Sequence, residues 1–213
     1  MRKGTLLILI FLIGIGAALQ ARKTPAELFD ANLNQWQSFR FQGIVQVSYT
    51  EFAARKYFAL AKNKDAIRLD ILDNGILGLQ AAPLATVYLQ DSLYIKAPTI
   101  KQLESFNPNW FLDRGTVPMV INIVDSLATH RDEILAKRKV VIGGIVFVFD
   151  KKYRISRISS SRFLTEITVT YNRHSEPDVV KIKYSGKAAA SFSIDQRDYQ
   201  NIAIEPLKQK QGE

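Results

Sequence analysis

From Phe39 to Pro98, apolar residues recur at every second position through five consecutive segments: SFRFQGIVQVSYT, RKYFALAKN, DAIRLDILDNGILGLQ, LATVYLQ and DSLYIKAP. In the first, Phe39, Phe41, Val45, Val47 and Tyr49 share one face, and Arg40, Gln42, Gln46 and Ser48 share the other. In the third, Ile67, Leu69 and Ile71 alternate with Arg68 and Asp70. A period of two with one apolar face is the pattern of a half-buried antiparallel sheet. The links are short and polar, and Asp73-Asn74-Gly75 is a turn signal. The five strands are therefore expected to be neighbours in chain order.

Upstream, PAELFDANLNQWQSF is expected to be helical. Thr24 suits the N-cap, Pro25 the first helical position, and Glu27 completes a capping box. Leu28, Phe29, Leu33 and Trp36 fall on one face of it. Between Pro98 and Arg138 the periodicity changes. Apolar residues at 117, 120, 121, 124, 127 and 134–135 predict one or two helices, after a part broken by Pro108 and Gly115. Alternation then resumes in VVIGGIVFVFD, YRISRISSS, FLTEITVTYN, VVKIKYSG and KAAASFSIDQRDYQNIAI, read as about five more strands. A sheet of that many strands must curl. Its concave face is either filled by the helical segments or left partly open for a ligand. The expected class is mainly β (α+β), a strongly curved antiparallel sheet with helices on it.

Several chemistries find no foothold. The 213-residue chain has no cysteine, which excludes disulfides, a catalytic thiol, thiolate metal sites and acylation at a lipobox. His130 and His174 lack partners at catalytic or metal-binding spacing. Gly143-Gly144 lies inside a strand-like run and reads as a bulge or turn rather than a nucleotide loop. The acids Asp70, Asp73, Asp91, Asp125, Asp132, Glu133 and Glu166 are scattered. They read as solvated surface groups, with a hydrolytic pair drawn from distant positions as the competing reading. No enzyme, metal or cofactor is expected.

The N-terminus looks like an export signal. Arg2 and Lys3 precede an apolar run, Leu6–Leu19, followed by small residues near Ala21. The expected organisation is a signal peptide or N-terminal anchor over 1–21, one domain over 22–207 and a polar tail over 208–213. The formal charge is +9. For an exported, periplasmic chain, attraction to anionic lipid headgroups fits that charge better than nucleic acid does.

Aromatics populate the strands: Phe39, Phe41, Tyr49, Tyr57, Phe58, Tyr88, Tyr94, Phe147, Phe149, Phe163 and Phe192. Most are expected to pack as core beneath the helices, with the inner ends free to line an apolar cavity. An acyl chain gains about 0.8 kcal/mol per buried methylene, so such a cavity needs apolar walls and no motif.

The run of helix, FRFQGIVQVSY, YFALAKNKDAIRLDIL and NGILGLQAAPLATVYLQDSLYIKAP resembles the LolA/LolB lipoprotein-carrier superfamily, the LolB-like branch most. The resemblance covers Leu28 to Pro98 and rests on strand order, the IRLDIL segment and the NGILG loop. It implies an unclosed antiparallel β-barrel with a helical lid and a hydrophobic cavity for the acyl chains of lipids or lipoproteins. It also implies non-catalytic transfer between membranes, with envelope transport proteins as possible partners. The expected cavity wall is Phe39, Phe41, Val45 and Val47 on the first strand and Ile67, Leu69 and Ile71 on the third. Val87 and Leu89 complete it from the fourth. LolB-like proteins carry an exposed leucine on a protruding loop. Leu77 is the matching position here, with Ile76 beside it, as a membrane-contacting loop. The lid arginine of LolA-like carriers has Arg68 and Arg40 as candidates, both opposite the main apolar face. The chain departs from LolB receptors in having no cysteine to acylate. The competing reading is an envelope sensory or assembly module on the same fold that binds a protein.

Overall fold

The computed structural model describes residues 23–49, 52–73, 83–98, 120–162, 164–185, 188–200 and 202–207. The leader over 1–21, Ile76, Leu77, Phe163, the Pro108–Gly115 stretch and the 208–213 tail lie outside these residues. Helix α1 (Pro25–Asn34) starts at the expected capping box. The Glu27 amide donates to Thr24 Oγ1 at 3.2 Å, and the Thr24 amide donates to Glu27 Oε2 at 2.7 Å. Phe29 and Leu33 are its buried residues.

The first five strands are β1 (Phe39–Tyr49), β2 (Phe52–Lys62), β3 (Ile67–Leu72), β4 (Pro83–Leu89) and β5 (Leu93–Lys96). They pair antiparallel in chain order, as their short polar links require. Two short helices follow, α2 (Ile123–Thr129) and α3 (Arg131–Lys137), separated at His130. Six strands complete the sheet: β6 (Lys139–Ile142), β7 (Ile145–Phe149), β8 (Ile155–Ser160), β9 (Thr165–Tyr171), β10 (Pro177–Tyr184) and β11 (Ala188–Asp198).

The second group has six strands rather than the five expected, because VVIGGIVFVFD is a hairpin and not one run. Gly143 and Gly144 have φ of 57° and 78°, and β6 and β7 pair across them. Positive φ at both central residues is what a tight two-residue hairpin needs.

The sheet order is β5-β4-β3-β2-β1-β11-β10-β9-β8-β7-β6. Two meanders thus meet where the first strand pairs the last. The edges, β5 and β6, are not paired with each other, so the barrel is unclosed.

Two bulges bend this sheet beside the junction. Gln42 pairs Gln196 while Gly43 pairs Ile194, which leaves Asp195 as the extra residue of β11. Pro177 pairs Tyr171 while Val179 pairs Thr170, which leaves Asp178 extra on β10. Arg197 ties the two together. Its guanidinium donates to the Ile194 carbonyl at 2.7 Å, the Pro177 carbonyl at 2.8 Å and Asp178 Oδ1 at 3.0 Å. It thereby satisfies backbone acceptors that the ladder drops at the bulges.

The concave face carries two core clusters. In one, α1, α2 and α3 pack Phe29, Leu33, Leu127 and Ile134 onto Val140, Phe147, Phe149 and Ile155 of β6–β8. In the other, Phe39, Phe41, Val45, Phe58 and Ile194 pack within the β1–β2–β11 region. Trp36 touches both clusters and stands edge-on to Phe39 and Phe41, at 5.7 and 6.2 Å between ring centroids. Complete burial of each such side chain contributes about 1.5–3 kcal/mol.

Gly43 is required at the junction by space. A Cβ there would lie 1.9 Å from the Ser193 carbonyl oxygen. Gly43→Ala is expected to lower unfolding free energy by about 3 kcal/mol or more, since no flexible side chain can yield. Urea denaturation with unchanged m-value checks it.

Candidate functional site

Curling leaves space that the helices do not fill. An apolar cavity of about 370 Å³ lies between the sheet and α2. At roughly 30 Å³ for a water-sized group, it holds about a dozen such groups. Its sheet wall comes from alternate residues that pair face to face. Phe41 opposes Leu60, which opposes Leu69; Ile158 opposes Ile167, which opposes Ile182; Val169 opposes Val180, which opposes Phe192. The helical wall is Val120, Ile123, Val124 and Leu127, with Trp36 closing the α1 side.

Phe39, Phe41, Ile67 and Leu69 of the expected wall line this cavity. Val45, Val47 and Ile71 belong to the Phe41–Phe58 cluster farther along the same face and are not lining residues. Val87 and Leu89 pair Leu69 and Ile67 across β4, half-buried, and also lie outside the lining. Sequence alternation alone pointed to none of the β8–β10 contribution, because the partner of one meander across the concave space depends on how tightly the sheet curls.

Several aromatics face away from the cavity. Tyr57 is half exposed. Tyr88 pairs Arg68 and Tyr94 on the convex face, and its hydroxyl donates to Gln90 Oε1 at 2.7 Å. Arg68 and Arg40 are on that outer face as well. Arg68 grips Asp70 (2.8 Å) and the Glu205 carbonyl (2.8 Å), and Arg40 reaches the Ala203 carbonyl (3.0 Å). These bonds hold the C-terminal segment against the back of the sheet.

Among the described residues, one charged side chain lines the apolar cavity: Lys62, at the end of β2 and 5% exposed. Its Nζ donates to the backbone carbonyls of Gln37 at 3.2 Å and Asn63 at 3.3 Å. Burial pushes the ammonium pKa below the usual lysine value, and the charge of Asp125 on α2 partly opposes that. Beyond Lys62 lies a second pocket of about 460 Å³ with a mixed lining, where Gln37, Ser38, Asn63, Lys64, Asp65, Asn122 and Asp125 stand beside Ile121, Val124 and Ile202. Lys62 and Val124 belong to both spaces. This buried lysine escaped the sequence reading because it occupies an apolar position of the alternation, following Phe58 and Leu60.

Among the described residues, neither histidine lines the cavity. His130 caps the junction of α2 and α3, its Nδ1 2.8 Å from the Ser126 carbonyl, and His174 sits exposed in the β9–β10 turn beside Arg173. Among the described residues no three His, Asp or Glu side chains gather as a metal site would require, and no helix is long and apolar enough to cross a membrane.

Behind Phe41, Tyr199 packs its ring edge-on at 5.9 Å. Its hydroxyl is buried and finds no partner among the described residues; burial, chiefly, pushes its pKa up to about 12. Tyr199→Phe is expected to leave thermal stability unchanged or raise it by about 1 kcal/mol, because it removes an unsatisfied group without changing shape. Calorimetry checks the direction.

No protein-family model matches the chain, and no curated protein matches it. Solved structures similar to it include a LolA superfamily protein from Nitrosomonas europaea. That match has 8% identity and a TM-score of 0.43, over 85% of this chain and 96% of the other. An outer membrane lipoprotein-sorting protein domain from Vibrio parahaemolyticus matches at 8% identity and a TM-score of 0.45, over 84% and 94%. The MucA/MucB complex structure from Pseudomonas aeruginosa matches at 12% identity and a TM-score of 0.37, over 85% of this chain and 59% of the other. These neighbours do not single out the LolB branch.

Proposed function

We propose that this protein is a non-catalytic carrier that holds an acyl chain of a lipid or lipoprotein in its cavity and passes it to or between membranes of the cell envelope. The observation that carries the reading is the cavity itself: about 370 Å³ lined by aliphatic and aromatic side chains, with one lysine at its end. A volume in the range of about 300–1,000 Å³ with apolar walls is what a small ligand site offers. A core packed only for stability fills such space with side chains. The apolar N-terminal run supports an exported location, and the net charge of +9 supports contact with anionic lipid surfaces.

The test is ligand content and ligand uptake. Native mass spectrometry of the purified protein, and displacement of a fluorescent fatty acid, are expected to show one acyl ligand per chain. Val180→Phe places a ring in the cavity and is expected to weaken the probe at least tenfold with little change in melting temperature. Wild-type protein that neither carries nor takes up an acyl ligand overturns the reading. If a single protein is recovered from envelope extracts instead, the protein-binding module replaces it.

Ile76 and Leu77 belong to the segment joining β3 to β4. That segment leaves and re-enters the sheet at Leu72 and Pro83, at the sheet end away from Lys62. The half-exposed Tyr57 of β2, which pairs Leu72, and the exposed Leu164 and Tyr184 stand at this same end. A membrane-contacting role for Leu77 predicts that Leu77→Glu reduces flotation with anionic liposomes and leaves the melting temperature in place. A collapsed melting temperature assigns Leu77 to the core instead.

A further inference from the structure

We propose that Lys62 is the headgroup site of the cavity, so that the ligand is a single-chain amphiphile with an anionic oxygen head. The head meets the Lys62 ammonium where the apolar cavity adjoins the mixed second pocket, and the chain lies in the apolar cavity. This rests on the carrier reading above and adds what the ligand's head must be.

Three observations carry it. First, Lys62 is buried at an apolar position of β2, where leucine or methionine would complete the wall without removing a charge from water. Second, its ammonium is only partly answered. It has three donors, and the two partners found are backbone carbonyls at the long end of hydrogen-bond range. No carboxylate is hydrogen-bonded to it among the described residues, and Asp125 acts on it only through its field. Third, Lys62 and Val124 border both spaces, so one extended molecule reaching from the apolar cavity into the second pocket runs along the Lys62 stem, with its head on the side where the ammonium sits.

The second pocket also contains Lys64, Asp65 and Asp125. All three are exposed, so solvent and salt screen them. The buried ammonium keeps more of its field, and an oxyanion is the group that it attracts. A merely structural lysine, snorkelling from the wall to tie the turn at Gln37, would bind chains without regard to their heads.

The experiment measures binding of dodecanoate, dodecyl phosphate and dodecanol to the full chain by calorimetry at neutral pH. Wild-type protein is expected to bind the two anions at least tenfold more tightly than the alcohol, and the stronger anion tells a carboxylate head from a phosphate. Lys62→Met is expected to bind all three at the level of the alcohol while melting no lower than wild type. Lys62→Arg, which keeps the charge should the Met variant fold poorly, is expected to retain the preference for anions. Equal affinity of the wild type for acid and alcohol overturns the headgroup site and leaves the carrier standing. So does an acid preference that survives in Lys62→Met. Failure of all three ligands to bind overturns the carrier reading, and this inference with it.

Discussion

The structure depends on the pairing of its first strand with its last. Each meander alone is a sheet with one apolar face and no second layer. Joining β1 to β11 makes them one surface of eleven strands. The join is tight: Gly43 passes so close to the Ser193 carbonyl that no side chain fits. Beside it, the extra residues Asp195 and Asp178 bend β11 and β10, and Arg197 spans both bends through three hydrogen bonds. Bulges increase local twist. Their position near the middle of the sheet is what turns a flat ribbon into a trough.

A trough has more concave surface than the three described helices cover. The helices bury Phe29, Leu127 and Ile134 against β6–β8. Over β1–β3 and β8–β11 the described helices leave space, and Trp36 stands between the two clusters beside it. The cavity follows from this geometry: its sheet wall is the ordinary inward face of the strands, with α2 facing it across the space. Lys62 marks its end, where the apolar space gives way to polar groups around Asn63 and Asn122.

Local features were legible because they depend on neighbours in the chain. Thr24 and Glu27 signal the start of α1, and both hydrogen bonds of the box form. Alternation from Phe39 to Pro98 gives five strands and their order. The same alternation put Arg40 and Arg68 opposite the apolar face, where they hold the C-terminal segment. The pattern left alternatives open where one signal serves two structures. The GG pair inside VVIGGIVFVFD is either a bulge in one strand or a turn between two, and positive φ at both glycines decides for the turn. Tyr88 and Tyr94 look like wall residues by type, yet register sets them on the convex side. Val87 and Leu89 have the right face but sit too near the β5 edge to line the cavity.

By itself, then, the chain specified its elements, the apolar face of each strand and the sequential hairpins, since these rest on period, capping and turn chemistry within a few residues. Tertiary structure decided the rest: that β1 meets β11, that two bulges and Arg197 curl the sheet there, and that space remains under α2 with Lys62 at its end. Those outcomes depend on residues far apart in sequence, such as Gly43 and Ser193 or Lys62 and Val124. Their contact is set by global register and curvature, which no local pattern encodes.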